Sequence, residues 1–190
     1  MKQSEPHYNI YIITGKVHSG KTTFLSGLTD RLKQERVSLA GFLSMGSFNG
    51  DQRSTFTLVN IEDGKQHKLA SIVKREAWIR FGRFYFNPEA LLEGERIISR
   101  GLEQRADLVV LDEVGPFELE GGGWTSVLNL LEKEYELIQI WVVREQALAG
   151  VLERWDIPPE NVFRVDPRDE ETIIKTILSH ARNDEISPAT

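Results

Sequence analysis

The chain has 190 residues, 40% of them hydrophobic and 27% charged, a globular composition that excludes a disordered or membrane-spanning protein. A formal net charge of -6 argues against a protein that coats nucleic acid, whose footprint would be basic. There is no cysteine, which excludes disulfides, thiolate metal sites and cysteine nucleophiles together. The length is ordinary for one domain, expected over residues 1–182 with a frayed tail over 183–190.

Residues 1–8 read as a polar lead-in without the apolar core of a signal peptide, and no apolar stretch is long enough to span a bilayer. Ile10 to Ile13 is a continuous apolar run, as expected of a strand buried on both faces. Next comes Gly15-Lys16-Val17-His18-Ser19-Gly20-Lys21-Thr22, which matches G-x-x-x-x-G-K-[ST], the phosphate-binding loop or Walker A motif. Phe24, Leu25, Leu28 and Leu32 then recur at helical spacing, so a helix is expected from about Lys21 to Arg36. Strand, glycine loop and helix is the context the motif needs. Gly15 and Gly20 allow close backbone approach to a polyphosphate, and backbone N–H groups through Thr23 add to the helix dipole. Lys21 can reach the β- and γ-phosphates, and the Thr22 hydroxyl can ligate Mg²⁺. His18 is expected to point away from the phosphates. The four histidines, His7, His18, His67 and His180, show no metal-ligand spacing.

Val37 to Ser44 reads as a second strand, and Met45 to Arg53 as a loop on account of Gly46, Asn49, Gly50 and Asp51. Thr55–Asn60 and Gln66–Ala70 flank Asp63-Gly64, the signature of a hairpin inserted between the two nucleotide motifs. Lys74 to Phe86 mixes basic and aromatic residues, among them Arg75, Trp78, Arg80, Arg83 and Phe84. It reads either as a connecting segment with solvated arginines or as a lid over the nucleotide. A helix follows over Pro88 to Gln104.

Asp107 to Glu113 is an apolar strand ending in two carboxylates, the Walker B pattern. Beside the first strand in a parallel sheet, it would bring Asp112 to the edge where the phosphate loop sits and where an acid holds Mg²⁺. Glu113 is then placed to polarise a water for in-line attack on the γ-phosphate. Glu118 reads either as support for the metal site or as an ordinary strand-end carboxylate. Three glycines, Gly121 to Gly123, lead to a helix over Trp124–Glu134. A strand over Leu137–Val143 ends at Arg144, and a helix, a short strand over Val162–Val165 and a last helix around Ile173–Ala181 follow. Strands alternating with helices predict a three-layer α/β domain with a mostly parallel sheet.

At Leu111-Asp112-Glu113-Val114-Gly115-Pro116-Phe117-Glu118-Leu119 the chain resembles the small P-loop nucleoside triphosphatases of the thermophile and vertebrate cancer-related type. The resemblance extends to Gly15–Thr23, to Gly41-Phe42 with the hairpin after it, and to Val162–Glu171. It implies a RecA-like P-loop fold and Mg²⁺-dependent hydrolysis of several nucleoside triphosphates. In that family the matching positions give Lys21 a phosphate-binding and catalytic role, Thr22 and Asp112 the metal, and Glu113 the catalytic base. Departures are Val17-His18-Ser19 in place of a second glycine, Phe117 for the usual methionine, and Gly121 to Trp124 in the following loop.

Rival readings are a P-loop kinase acting on a small molecule and a nucleotide-binding accessory module. A signalling GTPase fits Asp112 to Gly115 as D-x-x-G but lacks an [NT]-K-x-D motif. The extra lysine of the deviant Walker A is matched by Lys16 without the accompanying glycines. The expected partner is a nucleoside triphosphate, with neither nucleic acid nor membrane, in the cytoplasm; the sequence names no protein partner.

Overall fold

The computed structural model describes residues 9–16, 19–165 and 170–183, with side chains as far as 179. His7, Val17, His18 and the tail beyond 183 lie outside the described residues. In chain order the elements are β1 (Ile10–Gly15), α1 (Lys21–Gln34), β2 (Leu39–Asn49), β3 (Gln52–Asn60) and β4 (Gln66–Ser71). After these come β5 (Ile79–Phe81), β6 (Phe84–Phe86), α2 (Pro88–Glu103), β7 (Leu108–Val114), α3 (Pro116–Leu119) and α4 (Thr125–Leu131). The chain continues with β8 (Ile138–Arg144), α5 (Leu148–Arg154), β9 (Val162–Arg164) and α6 (Glu170–Asn183).

The described strands form one sheet in the order β5-β6-β4-β3-β2-β7-β8-β1-β9. It is mixed, not mostly parallel as expected. The run β2, β7, β8, β1, β9 is parallel, while β2–β3, β3–β4, β4–β6 and β6–β5 are antiparallel. The cause is local. Consecutive strands joined by tight turns can pair only antiparallel. Gly50, Gly64 and Gly82, with φ of 60°, 71° and 55°, make three such turns.

Two further expectations change. Residues 45–49 continue β2 rather than forming a loop, and the turn is confined to the Gly50-Asp51 corner. The basic and aromatic stretch supplies β5 and β6 at the sheet edge. Its Phe81 and Phe86 pack on Phe117, with ring centroids 4.5 and 4.9 Å apart. Arg75 and Arg80 are exposed. The strand carrying Asp112 also does not adjoin β1, because β8 lies between them.

Alternation along the central strands feeds two cores. Ile10 and Ile12 of β1 join Val109 and Leu111 of β7, Ile97 and Ile98 of α2, and Trp141 and Trp155 on one face. Tyr11, Ile13, Leu108 and Val110 join Leu25, Leu28 and Leu32 of α1 and Ile173 and Ile177 of α6 on the other. Helices on both faces of the sheet make three layers. The parallel strands therefore end together, and that shared edge carries the site. Registers Gly15↔Arg144, Asp112↔Val142 and Val114↔Val143 bring the ends of β1, β8 and β7 level.

Two glycines are required for this alignment. At Gly41 φ is 128°, and a Cβ would sit 2.0 Å from the carbonyl oxygen of Val110 in β7. At Gly94 in α2 a Cβ would lie 2.4 Å from the Trp124 ring, which itself packs on Phe42 at 4.5 Å.

Candidate nucleotide-binding active site

The phosphate loop begins where β1 ends. Gly20 caps α1 in the left-handed conformation, with φ 80° and ψ 21°, and a Cβ on Gly15 would fall 2.7 Å from the Ser19 hydroxyl. The Lys21 ammonium donates to the carbonyls of Gly15 and Lys16 at 3.0 and 3.1 Å, holding it across the loop. Ser19, Gly20, Thr22 and Thr23 follow in the loop and first helical turn.

Asp112 is buried at the end of β7. Its Oδ2 accepts from the Ser44 backbone N–H at 3.0 Å, and its carbonyl accepts from the Ser44 hydroxyl. The Thr22 side chain interacts with the same carboxyl. Burial, and next the neighbouring Glu113, push the Asp112 carboxyl up to about 7, against the pull of the Ser44 and Thr22 hydrogen bonds. A hydroxyl from α1 and a carboxylate from β7 thus meet, although β8 separates their strands. Two hard oxygen donors suit Mg²⁺, which keeps most of its waters and takes few protein ligands. Among the described residues no cluster of three or more His, Cys, Asp or Glu side chains could hold a metal.

The Asp112–Glu113 peptide is cis. Glu113 does not face solvent freely; its side chain is only 11% exposed. Its Oε2 accepts from Arg144 Nη2 at 3.1 Å and lies 3.8 Å from Arg53 Nη1. Sequence reasoning named Arg144 but not Arg53, which fell in the stretch read as a loop. The spacing of Phe48, Arg53 and Phe56 around the turn was the available signal, since the guanidinium lies over both rings at 5.4 and 5.0 Å. Arg83 is the one arginine of the Arg75–Arg83 segment that lines the cleft.

Lys16, Lys21, Arg53, Arg83 and Arg144 surround one open cavity of about 690 Å³. Its carboxylates, Asp51, Glu113 and Glu145, are fewer, so the cleft suits an anion. The volume lies in the range of small-molecule sites. Behind Glu113 sits a smaller aromatic-lined cavity of about 60 Å³, bounded by Phe81, Phe86, Phe117 and Trp124.

Glu118 belongs to the support of this edge. Its Oε2 accepts from the Gly115 N–H at 2.7 Å and its Oε1 from the Trp124 N–H at 3.2 Å. The Glu118 carboxylate thereby ties the segment after Glu113 to the start of α4. Burial pushes its carboxyl up to about 7, against the pull of those two N–H groups. The glycines that sequence comparison left without a role have one here: a Cβ on Gly123 would lie 2.0 Å from Glu118 Oε1, and one on Gly122 would lie 2.0 Å from the Phe117 ring.

The NTPase family model matches residues 10–178, which takes in the loop, both carboxylates and Arg144. The chain belongs to the NTPase family. Among its relatives, the nucleoside-triphosphatase THEP1 of Methanothermobacter thermautotrophicus is 28% identical over 88% of this chain and 92% of its own length. The nucleoside-triphosphatase THEP1 of Caldivirga maquilingensis is 32% identical over 57% of this chain, an alignment that spans 60% of that relative. The crystal structure of THEP1 from the hyperthermophile Aquifex aeolicus matches with a TM-score of 0.66 and 19% identity, covering 90% of this chain and 97% of that one. That likeness shows the NTPase family fold. No described helix is long and apolar enough to cross a membrane.

Proposed function

We propose that the protein is a Mg²⁺-dependent nucleoside triphosphatase that cleaves ATP, GTP and further nucleoside triphosphates to diphosphate and phosphate in the cytoplasm. The observation that carries the reading is that Lys21 and Glu113 line one cation-rich cleft, with Thr22 and Asp112, their neighbours in the chain, interacting beside it. Membership of the NTPase family and the names of its relatives support the reaction class.

The loop amides and the Lys21 ammonium bind the β- and γ-phosphates. Thr22 and Asp112 would hold Mg²⁺, which offsets charge on the terminal phosphates. Glu113 orients the attacking water and accepts its proton as the oxygen attacks phosphorus, and the diphosphate leaves. The Glu118 bond to Gly115 fixes the backbone that carries Glu113.

Phosphate release from ATP, GTP, CTP and UTP, with Mg²⁺ or EDTA and no acceptor, tests this reading. Metal-dependent release from several nucleotides is expected. Tight binding without release would overturn it in favour of a kinase or an accessory module.

A further inference from the structure

We propose that Arg53 and Arg144 sense the terminal phosphate from within the same chain, and that they hold Glu113 until a triphosphate arrives. The inference rests on the triphosphatase reading above. One carboxylate oxygen, Glu113 Oε2, faces both guanidinium groups, at 3.1 Å from Arg144 and 3.8 Å from Arg53. The Arg144 N–H takes one of the two acceptor sites of that oxygen, and together the two guanidinium groups fix the direction in which the carboxylate faces.

The two arginines are built into the cleft rather than draped over it. Phe56 is their common platform, with its ring centre 5.0 Å from the Arg53 guanidinium and 6.0 Å from that of Arg144. Glycines clear their paths: a Cβ on Gly46 would lie 2.5 Å from Arg53 Nε, and one on Gly115 would lie 3.2 Å from Arg144 Cδ. Arg83 does not share this task, because its guanidinium donates to the Arg53 carbonyl at 3.0 Å and to Gln52 at 3.4 Å. It braces the corner that carries Arg53.

Donor capacity is left over for a ligand. Arg53 Nε is buried without a hydrogen-bond partner, and its Nη1 stands too far from Glu113 for a hydrogen bond. Both arginines line the 690 Å³ cleft together with Lys21. A γ-phosphate brings more charge and more acceptor oxygens than one carboxylate oxygen, and guanidinium groups bind such oxygens two at a time. A diphosphate seated on the loop has no group that extends so far. The triphosphate therefore draws the arginines onto itself and frees Glu113 for the water.

The test is the affinity of the full-length protein for a β,γ-imido triphosphate and for the diphosphate, in Arg53→Ala, Arg144→Ala, Glu113→Gln and their combinations. Each arginine variant should weaken the triphosphate analogue about tenfold, as expected for loss of a charge-assisted contact, and leave the diphosphate within about twofold. Glu113→Gln should tighten the analogue severalfold, since the arginines no longer have to leave a carboxylate. That gain should vanish when both arginines are alanine, which a general change in cleft charge would not do. Equal losses for both nucleotides, no loss for either, or a Glu113→Gln gain that survives the arginine deletions would overturn the proposal. Arg53→Lys and Arg144→Lys, which keep charge and bulk, replace any alanine variant that fails to fold. Wild-type phosphate release is measured in parallel. Its absence would overturn the triphosphatase reading, while the affinity ratios would still decide the arginine assignment.

Discussion

Arg144 Nη2 lies 3.1 Å from Glu113 Oε2, so the carboxylate best placed to handle a water is ion-paired at the mouth of the cleft. Glu113→Gln keeps the shape of that side chain and removes its capacity to accept a proton. Turnover should fall by roughly a hundredfold or more, the usual contribution of a positioned base, with triphosphate binding retained. Single-turnover phosphate release alongside nucleotide affinity checks this. Full turnover in the variant would move the base elsewhere.

Lys21→Ala should fail differently. The Lys21 ammonium bridges the carbonyls of Gly15 and Lys16 and lines the cleft. Its loss should weaken triphosphate binding on the order of tenfold to a hundredfold, the worth of a strong charge-assisted contact. Equilibrium binding of a labelled triphosphate measures it. An unchanged affinity would mean that the loop is not the phosphate seat.

Much of the parallel half was legible because its signals are local. The apolar run of Ile10–Ile13 and the stripe of Leu25, Leu28 and Leu32 sit next to the loop they frame. The antiparallel half was less legible. Gly46 looked like loop chemistry, yet it lies inside β2 to clear space for Arg53. Strand order was hidden as well, because the placing of β8 between β1 and β7 depends on packing across both cores. At the site, Thr22 and Asp112 could be paired from their motifs alone. The 3.8 Å approach of Arg53 to Glu113 could not, since it needs a β-bulge-bearing hairpin between β2 and β3 to bring distant residues together.

Gly41→Ala tests the junction between the two halves. Gly41 pairs with Val110, its φ of 128° is one that other residues rarely adopt, and a Cβ would meet the Val110 carbonyl at 2.0 Å. Neither the β7 backbone nor the strained dihedral can yield without opening the β2–β7 ladder. A loss of about 3 kcal/mol or more is expected, combining overpacking with backbone strain. Chemical denaturation measures it. Gly64→Ala is a useful contrast, with positive φ but open space around the added methyl, and should cost about 1 kcal/mol.

The buried carboxyl of Glu118 predicts how stability depends on pH. Its ordinary value is 4.5, and burial in the native state raises it to about 7. Below pH 4.5 both folded and unfolded chains hold the proton, and native stability is not reduced by this group. Between 4.5 and about 7 the unfolded chain releases the proton while the native chain retains it. The unfolded state then binds fewer protons, so stability falls as pH rises through that window and levels off above it. The drop should be on the order of 3 kcal/mol from this group. Asp112, raised to about 7 by its own burial, adds a parallel decline in the protein without metal. Glu118→Gln isolates the first contribution: it removes the ionisation, and at any pH loses one of the two acceptors that serve Gly115 and Trp124. Denaturation midpoints of both proteins between pH 5 and 8 should therefore converge as pH rises. Parallel curves would show that Glu118 keeps an ordinary carboxyl value and that its two N–H donors outweigh its burial.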